Sequence, residues 1–205
     1  IQQLMKVPDR RAEAQQLMGR VFMIMGLMGQ AEVELRRAVA ADAKFGPAHA
    51  LLGILLDTTG RGRQAEPFHR RAIQLEPRNA AYYNNLGFSF FLQKRYGEAI
   101  AAYREALSRD PAVRRVHNNI GFCYAKRGDL ALAERHFHLA GDPSSAHNNL
   151  GFVLEERGET ERAKKLYEKA LQANPELQPA RQNLIRVCKR LGRPAPVFPA
   201  LRAAE

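Results

Sequence analysis

The chain has 205 residues, of which 45% are apolar and 26% charged, and 32 lysines and arginines against 21 aspartates and glutamates give it a net charge of +11. That apolar fraction, with no low-complexity tract, excludes an intrinsically disordered chain, and the longest apolar stretch, 21–29, falls far short of the roughly 20 residues that a membrane-spanning helix needs. Two cysteines, Cys123 and Cys188, exclude a disulfide scaffold and a thiolate metal centre. Both read as small buried apolar residues. A segment is expected upstream of Ile1, where a signal or lipid-anchor sequence could have stood. The location is accordingly cytoplasmic, or periplasmic and outer-membrane-attached if that segment was a lipoprotein signal.

Along the chain the dominant signal is internal repetition. Asn84-Asn85-Leu86-Gly87-Phe88, Asn118-Asn119-Ile120-Gly121-Phe122 and Asn148-Asn149-Leu150-Gly151-Phe152 are near-copies, offset by 34 and then 30 residues. Gly53 is followed by Ala65, Ala72 and Pro77, Gly87 by Ala99, Ala106 and Pro111, and Gly151 by Ala163, Ala170 and Pro175, at identical spacing. Gly19 keeps Ala31 and Ala38 but has Ala43 in place of the proline, and Gly121 keeps Ala133 and Ala140 before a four-residue deletion. Polar turns such as Gly60-Arg61-Gly62 and Lys126-Arg127-Gly128-Asp129 separate two amphipathic stretches in each unit. Small residues sit where two helices must approach, and the proline stops the second helix because it lacks an N–H and clashes with the preceding turn.

This residue set and spacing resembles the tetratricopeptide repeat (TPR), a 34-residue helix–turn–helix unit. The matching registers are 12–45, 46–79, 80–113, a shortened 114–143 and 144–177, preceded by a flank over 1–11. A capping helix over 178–193 and a Pro-rich tail over 194–205 follow. The resemblance implies an all-α fold, a right-handed α–α superhelix or solenoid of about five hairpins with a concave inner surface. Stacking is obligatory because one hairpin cannot bury its own apolar face. The second helix of 114–143 is expected to be about one turn short, with Ser144 or Ser145 capping the next helix.

Numbering each unit from its first residue places the glycine at position 8. At about 100° per residue, positions 4, 7, 8 and 11 share one face and 2, 5, 6, 9, 12 and 13 the opposite one. The first set is apolar or small, so that face packs. In the resembled family the second set lines the groove. Here it carries Asn84, Asn118, Asn148 and Gln182 at position 5, and Asn85, Asn119, Asn149 and Asn183 at position 6. Position 9 carries Phe88, Phe122 and Phe152. A primary amide presents a donor beside an acceptor, the complement of a peptide group, and three aligned phenyl rings form an apolar strip of the kind that marks interaction sites. Position-6 asparagine can equally bond to a neighbouring helix, and the tail residue Phe198 is a candidate cover for the rings.

Almost half of the positive excess lies in 178–205, and Arg186, Lys189 and Arg190 hold positions 9, 12 and 13. The groove's end is therefore expected to be basic and suited to an acidic segment or terminal carboxylate. Nucleic acid is disfavoured as a partner because the groove offers asparagine and phenylalanine in place of a continuous cationic track. The lysine and arginine clamp of TPR chaperone adaptors is not reproduced either. Met18 is placed in the packing set and Met23 in the groove set. The histidines, including His136 and His138 on different helix faces, form no metal set, and no nucleophile, acid–base pair or phosphate loop is present.

The sequence thus predicts a non-enzymatic scaffold, without cofactor, that takes a protein or peptide partner in its groove. An RNA-binding helical repeat and a regulatory domain of a larger enzyme are the alternatives. The Ala/Arg-rich style and the short unit ending in Ala140-Gly141-Asp142-Pro143 also resemble TPR lipoproteins of bacterial tight-adherence pilus systems, which implies a role in assembling a pilus or secretion complex.

Overall fold

The computed structural model describes residues 10–194 and 198. Their secondary structure is wholly helical apart from turns. Eleven helices appear among them: α1 (Arg11–Ile24), α2 (Met28–Ala41), α3 (Gly46–Thr58), α4 (Gly62–Leu75), α5 (Ala80–Leu92), α6 (Tyr96–Arg109), α7 (Arg115–Lys126), α8 (Leu130–Ala140), α9 (Pro143–Glu156), α10 (Thr160–Ala173) and α11 (Gln178–Arg190). They fall into two compact units, α1–α6 and α7–α11, divided after Val113. Within each unit α1, α3, α5, α7 and α9 pack on the even-numbered helix that follows, and α2, α4, α8 and α10 pack on the first helix of the next hairpin. This is an all-α helical-repeat fold.

The glycine at position 8 decides how closely the two helices of a hairpin approach. A Cβ on Gly87 would lie 2.7 Å from Tyr103 ring carbons, one on Gly121 2.6 Å from Phe137, and one on Gly151 2.7 Å from Tyr167. Leu35 and His69 stand in the same relation to Gly19 and Gly53. A large residue sixteen positions after each glycine therefore lies flat on a bare helix backbone, and all five of these side chains are fully buried. Leu35, His69, Tyr103, Phe137 and Tyr167 recur at this fixed spacing in the sequence, a signal that the pattern of small residues does not carry.

Helix ends follow local chemistry. The α4, α6 and α10 helices stop two residues before Pro77, Pro111 and Pro175. The turn after each first helix needs one residue with left-handed backbone, and Gly26, Gly60, Gly128, Gly158 and Gly192 supply it at φ between 64° and 90°. Lys94 occupies the same site at φ 61°, a conformation that L side chains adopt at a cost. The α8 helix has 11 residues where its counterparts α2, α4, α6 and α10 have 14, so the deletion shortens the second helix as expected. The following cap differs from expectation: Asp142, not Ser144 or Ser145, caps α9, accepting from the Ser145 N–H at 2.9 Å with Pro143 as the first helical residue. A carboxylate is a stronger acceptor at a helix N-terminus than a hydroxyl, and proline loses no hydrogen bond there. The Ser144 hydroxyl and Ser145 N–H hold the Asp142 carboxyl down at about 2.

Unit 1 is centred on Leu35, Leu52, Leu55 and Leu56, against which Met23 packs. Position 12 thus contributes to packing in the first hairpin, contrary to its assignment to the open face. Unit 2 is centred on Leu154, Tyr167, Leu184, Val187 and Cys188. Among the described residues no second helix follows α11. Phe198 occupies that side instead, lying with Pro194, Leu184 and Cys188 around a cavity of about 630 Å³, with the Arg181 guanidinium 5.2 Å from its ring centre. It therefore does not cover the phenylalanine row, because the unsatisfied packing face of α11 is the larger apolar sink. The flank 1–9 and the tail residues 195–197 and 199–205 lie outside the described residues.

Candidate functional site

The face formed by positions 5, 6 and 9 belongs to the first helices of the hairpins. In unit 2 these are α7, α9 and α11, and their amides meet in pairs. Asn149 Nδ2 donates to Asn118 Oδ1 at 3.0 Å, and Asn183 Nδ2 donates to Asn148 Oδ1 at 2.9 Å. A position-6 amide thus bonds to the position-5 amide of the preceding hairpin, and the row is partly a helix-to-helix tie. Each primary amide has two donor hydrogens and two acceptor lone pairs. Every pair therefore retains an N–H on one residue and a lone pair on the other, and all four residues stay half-exposed. Gln182, on the last first helix, is exposed.

The rings are not equivalent. Phe122 is half-buried, edge-on to Phe137 at 5.0 Å between centroids, while Phe152, 39% exposed, meets Phe122 edge-on at 6.4 Å. In unit 1, Asn84 and Asn85 are half-exposed on α5, and Phe88 is 47% exposed beside Phe91. Position 5 of the preceding helix is Ala50, so the amide pairing seen in unit 2 has no counterpart between α3 and α5. Asn119 is half-exposed on α7.

The basic end is partly neutralised within the chain. Arg186 forks onto the buried carboxylate of Glu155, at 2.9 and 2.8 Å, and Arg190 lies 3.5 Å from the same group. The Arg186 guanidinium holds the Glu155 carboxyl below the usual carboxylate range against the opposing effect of burial. The Tyr167 hydroxyl donates to it at 2.8 Å, and burial first, then this bond, push that hydroxyl upward. Lys189 is exposed. Asp57 is built alike: His69 Nε2–H donates to it at 2.8 Å and the Ser89 hydroxyl at 2.7 Å. Asp57 and Glu155 both hold position 12, which was expected to face outward. Both are buried, because a polar residue on the second helix and another on the next hairpin turn toward them.

Four histidines gather on α7–α9. His117 and His136 face each other through Nδ1 at 3.1 Å, and His138 and His147 meet edge-on with centroids 5.8 Å apart. Among the described residues no three His, Cys, Asp or Glu side chains converge as a metal-ligand set. Two imidazoles sharing one N–H···N bond must both be neutral or exchange a single extra proton. Burial lowers His117, while burial followed by the nearby His138 and Lys169 lowers His147. Above the unfolded value of about 6.5 these groups are neutral in both states and cost nothing. As pH falls through that value the unfolded chain takes up protons that the folded chain refuses, so stability declines from about pH 7 toward pH 5. Thermal melts across that range should show the decline, and His117→Gln with His147→Gln should flatten it. An unchanged slope in the double variant would assign the effect elsewhere.

Two models described as the tetratricopeptide repeat match the chain, one over residues 80–112 and the other over 144–177. No curated protein sequence matches the chain. Among solved structures it is similar to PilF of Pseudomonas aeruginosa, at 27% identity over 90% of this chain and 86% of that one, with a TM-score of 0.67. It is also similar to PilW, described as a widely conserved type IV pilus biogenesis factor, at 22% identity over 89% and 87%, TM-score 0.72. YrrB, described as a TPR protein with an unusual peptide-binding site, shares 18% identity over 81% and 88%, TM-score 0.59.

Proposed function

We propose that this chain, which tetratricopeptide-repeat models match over 80–112 and 144–177, is a non-enzymatic scaffold holding an extended or helical segment of a partner protein on the position-5, -6 and -9 face of its first helices. The observation that carries this is the state of that face in unit 2: paired amides with a donor and an acceptor left over, flanked by the exposed ring of Phe152. Amides of this kind grip a backbone without reading its sequence, and the ring adds apolar area for a side chain. Likeness to PilF at 27% identity over nine-tenths of the chain supports a role in assembling a bacterial pilus or secretion complex. With Arg186 and Arg190 engaged by Glu155, Lys189 is the cation left to meet an acidic group on the partner.

The experiment is site-specific photocrosslinking of the full chain in native extract. A benzoylphenylalanine at position 88 or 152 should capture one and the same partner, and one at exposed Lys169 on the second helix α10 should not. Capture from position 169 alone would move the interface to the opposite face. Phe122 is left intact because its ring also packs on Phe137.

A further inference from the structure

The turn between α1 and α2 is unlike the other turns of its kind. They read Thr58-Thr59-Gly60-Arg61, Gln93-Lys94-Arg95, Lys126-Arg127-Gly128-Asp129 and Arg157-Gly158-Glu159, whereas this one reads Ile24-Met25-Gly26-Leu27-Met28. It ends the longest apolar stretch of the sequence. Ile24 is 82% exposed and Met25 62%, the two highest values among the large apolar side chains described, and Leu27 is 40% exposed. Nothing lies within 4 Å of where a Cβ would stand on Gly26 or Gly29. The feature is an apolar tip projecting outward, not a groove.

Its surroundings are cationic. Arg61 bonds Glu32 at 2.7 Å and Arg95 bonds Glu66 at 2.7 Å, tying each turn to the second helix of the hairpin before it. The three turns of unit 1 therefore follow one edge. On that edge Glu32, Glu66 and Glu98 are each engaged by arginine. Arg20, one helical turn before Ile24, Arg63 at the start of α4 and Lys94 in the α5–α6 turn are exposed, and no ion pair is seen for them among the described residues.

We propose that the α1–α2 turn is a membrane-docking tip, seating Ile24, Met25 and Leu27 among the headgroups of a bilayer that contains anionic lipid. Apolar side chains at an interface flanked by lysine and arginine are what such a surface binds. Three side chains expose a few hundred Å², below the roughly 800 Å² per partner of a stable protein interface. Among the described residues no helix is long and apolar enough to cross a membrane, so the contact is interfacial.

The test is sedimentation of the full chain with vesicles of phosphatidylcholine, alone or with about one-third phosphatidylglycerol. Binding to the anionic vesicles is expected, with roughly tenfold loss in I24S/M25S and again in R63E/K94E. Helix content should be unchanged, since all four side chains are exposed. The chain has no tryptophan, so Met25→Trp supplies a single reporter whose emission should shift to the blue on the same vesicles. Absence of vesicle binding, or binding that survives I24S/M25S, would overturn the proposal. So would a concentration-dependent dimer that I24S/M25S abolishes, which would give the tip to a second copy.

Discussion

Asp57→Ala should lower stability by about 3–5 kcal/mol, because it strips the partner from two donors that cannot reach water. His69 is 1% exposed and Ser89 fully buried, and both point at this carboxylate from different helices. One carboxyl thus ties α3 to α4 within a hairpin and to α5 in the next. A loss of that size in a chain of this length corresponds to a fall of roughly 10 °C in Tm. Adding Ser89→Ala to the variant should cost little more, since the orphaned hydroxyl is then gone. A Tm within a degree or two of the parent would show that the donors find other acceptors and that Asp57 is not the tie described. Glu155 is the equivalent tie in unit 2, with Tyr167 and Arg186 as its partners.

Gly87→Ala should also destabilise, by about 1–3 kcal/mol, although alanine is the better helix former. The new methyl would stand 2.7 Å from two carbons of the Tyr103 ring, which is itself fully buried and has nowhere to go. Gly97→Ala is the matched control: that glycine also lies in a helix but has open space around its Cβ direction. It should stabilise by a few tenths to about 1 kcal/mol. Chemical denaturation of the two variants separates close approach from propensity. Equal signs would remove the contact between glycine and ring from the account of the fold.

The repeat, the helix ends and the shortened fourth hairpin were legible because they depend on local features: spacing of small residues, a terminal proline, a four-residue deletion. Even the lapse at the α9 cap was local, since Asp142-Pro143 is a helix start that the serines beyond it obscured. The candidate site was legible only as a set of positions. The three phenylalanines share one position in the repeat, but Phe122 lies against Phe137 on α8 while Phe152 and Phe88 remain open. The asparagines were identifiable as amides, yet their pairing across α7, α9 and α11 follows from how far apart neighbouring first helices stand.

Position 12 shows where the boundary falls. The sequence by itself determined that this is a stack of helical hairpins, because periodicity and small-residue spacing fix each hairpin before it meets its neighbour. Only the tertiary structure decided that Asp57 and Glu155 turn inward while Lys189 at the same position stays in water. A buried carboxylate needs donors from two other helices: His69 and Ser89 supply them to Asp57, and Tyr167 and Arg186 to Glu155, whereas among the described residues no helix follows α11 to bring donors to position 189.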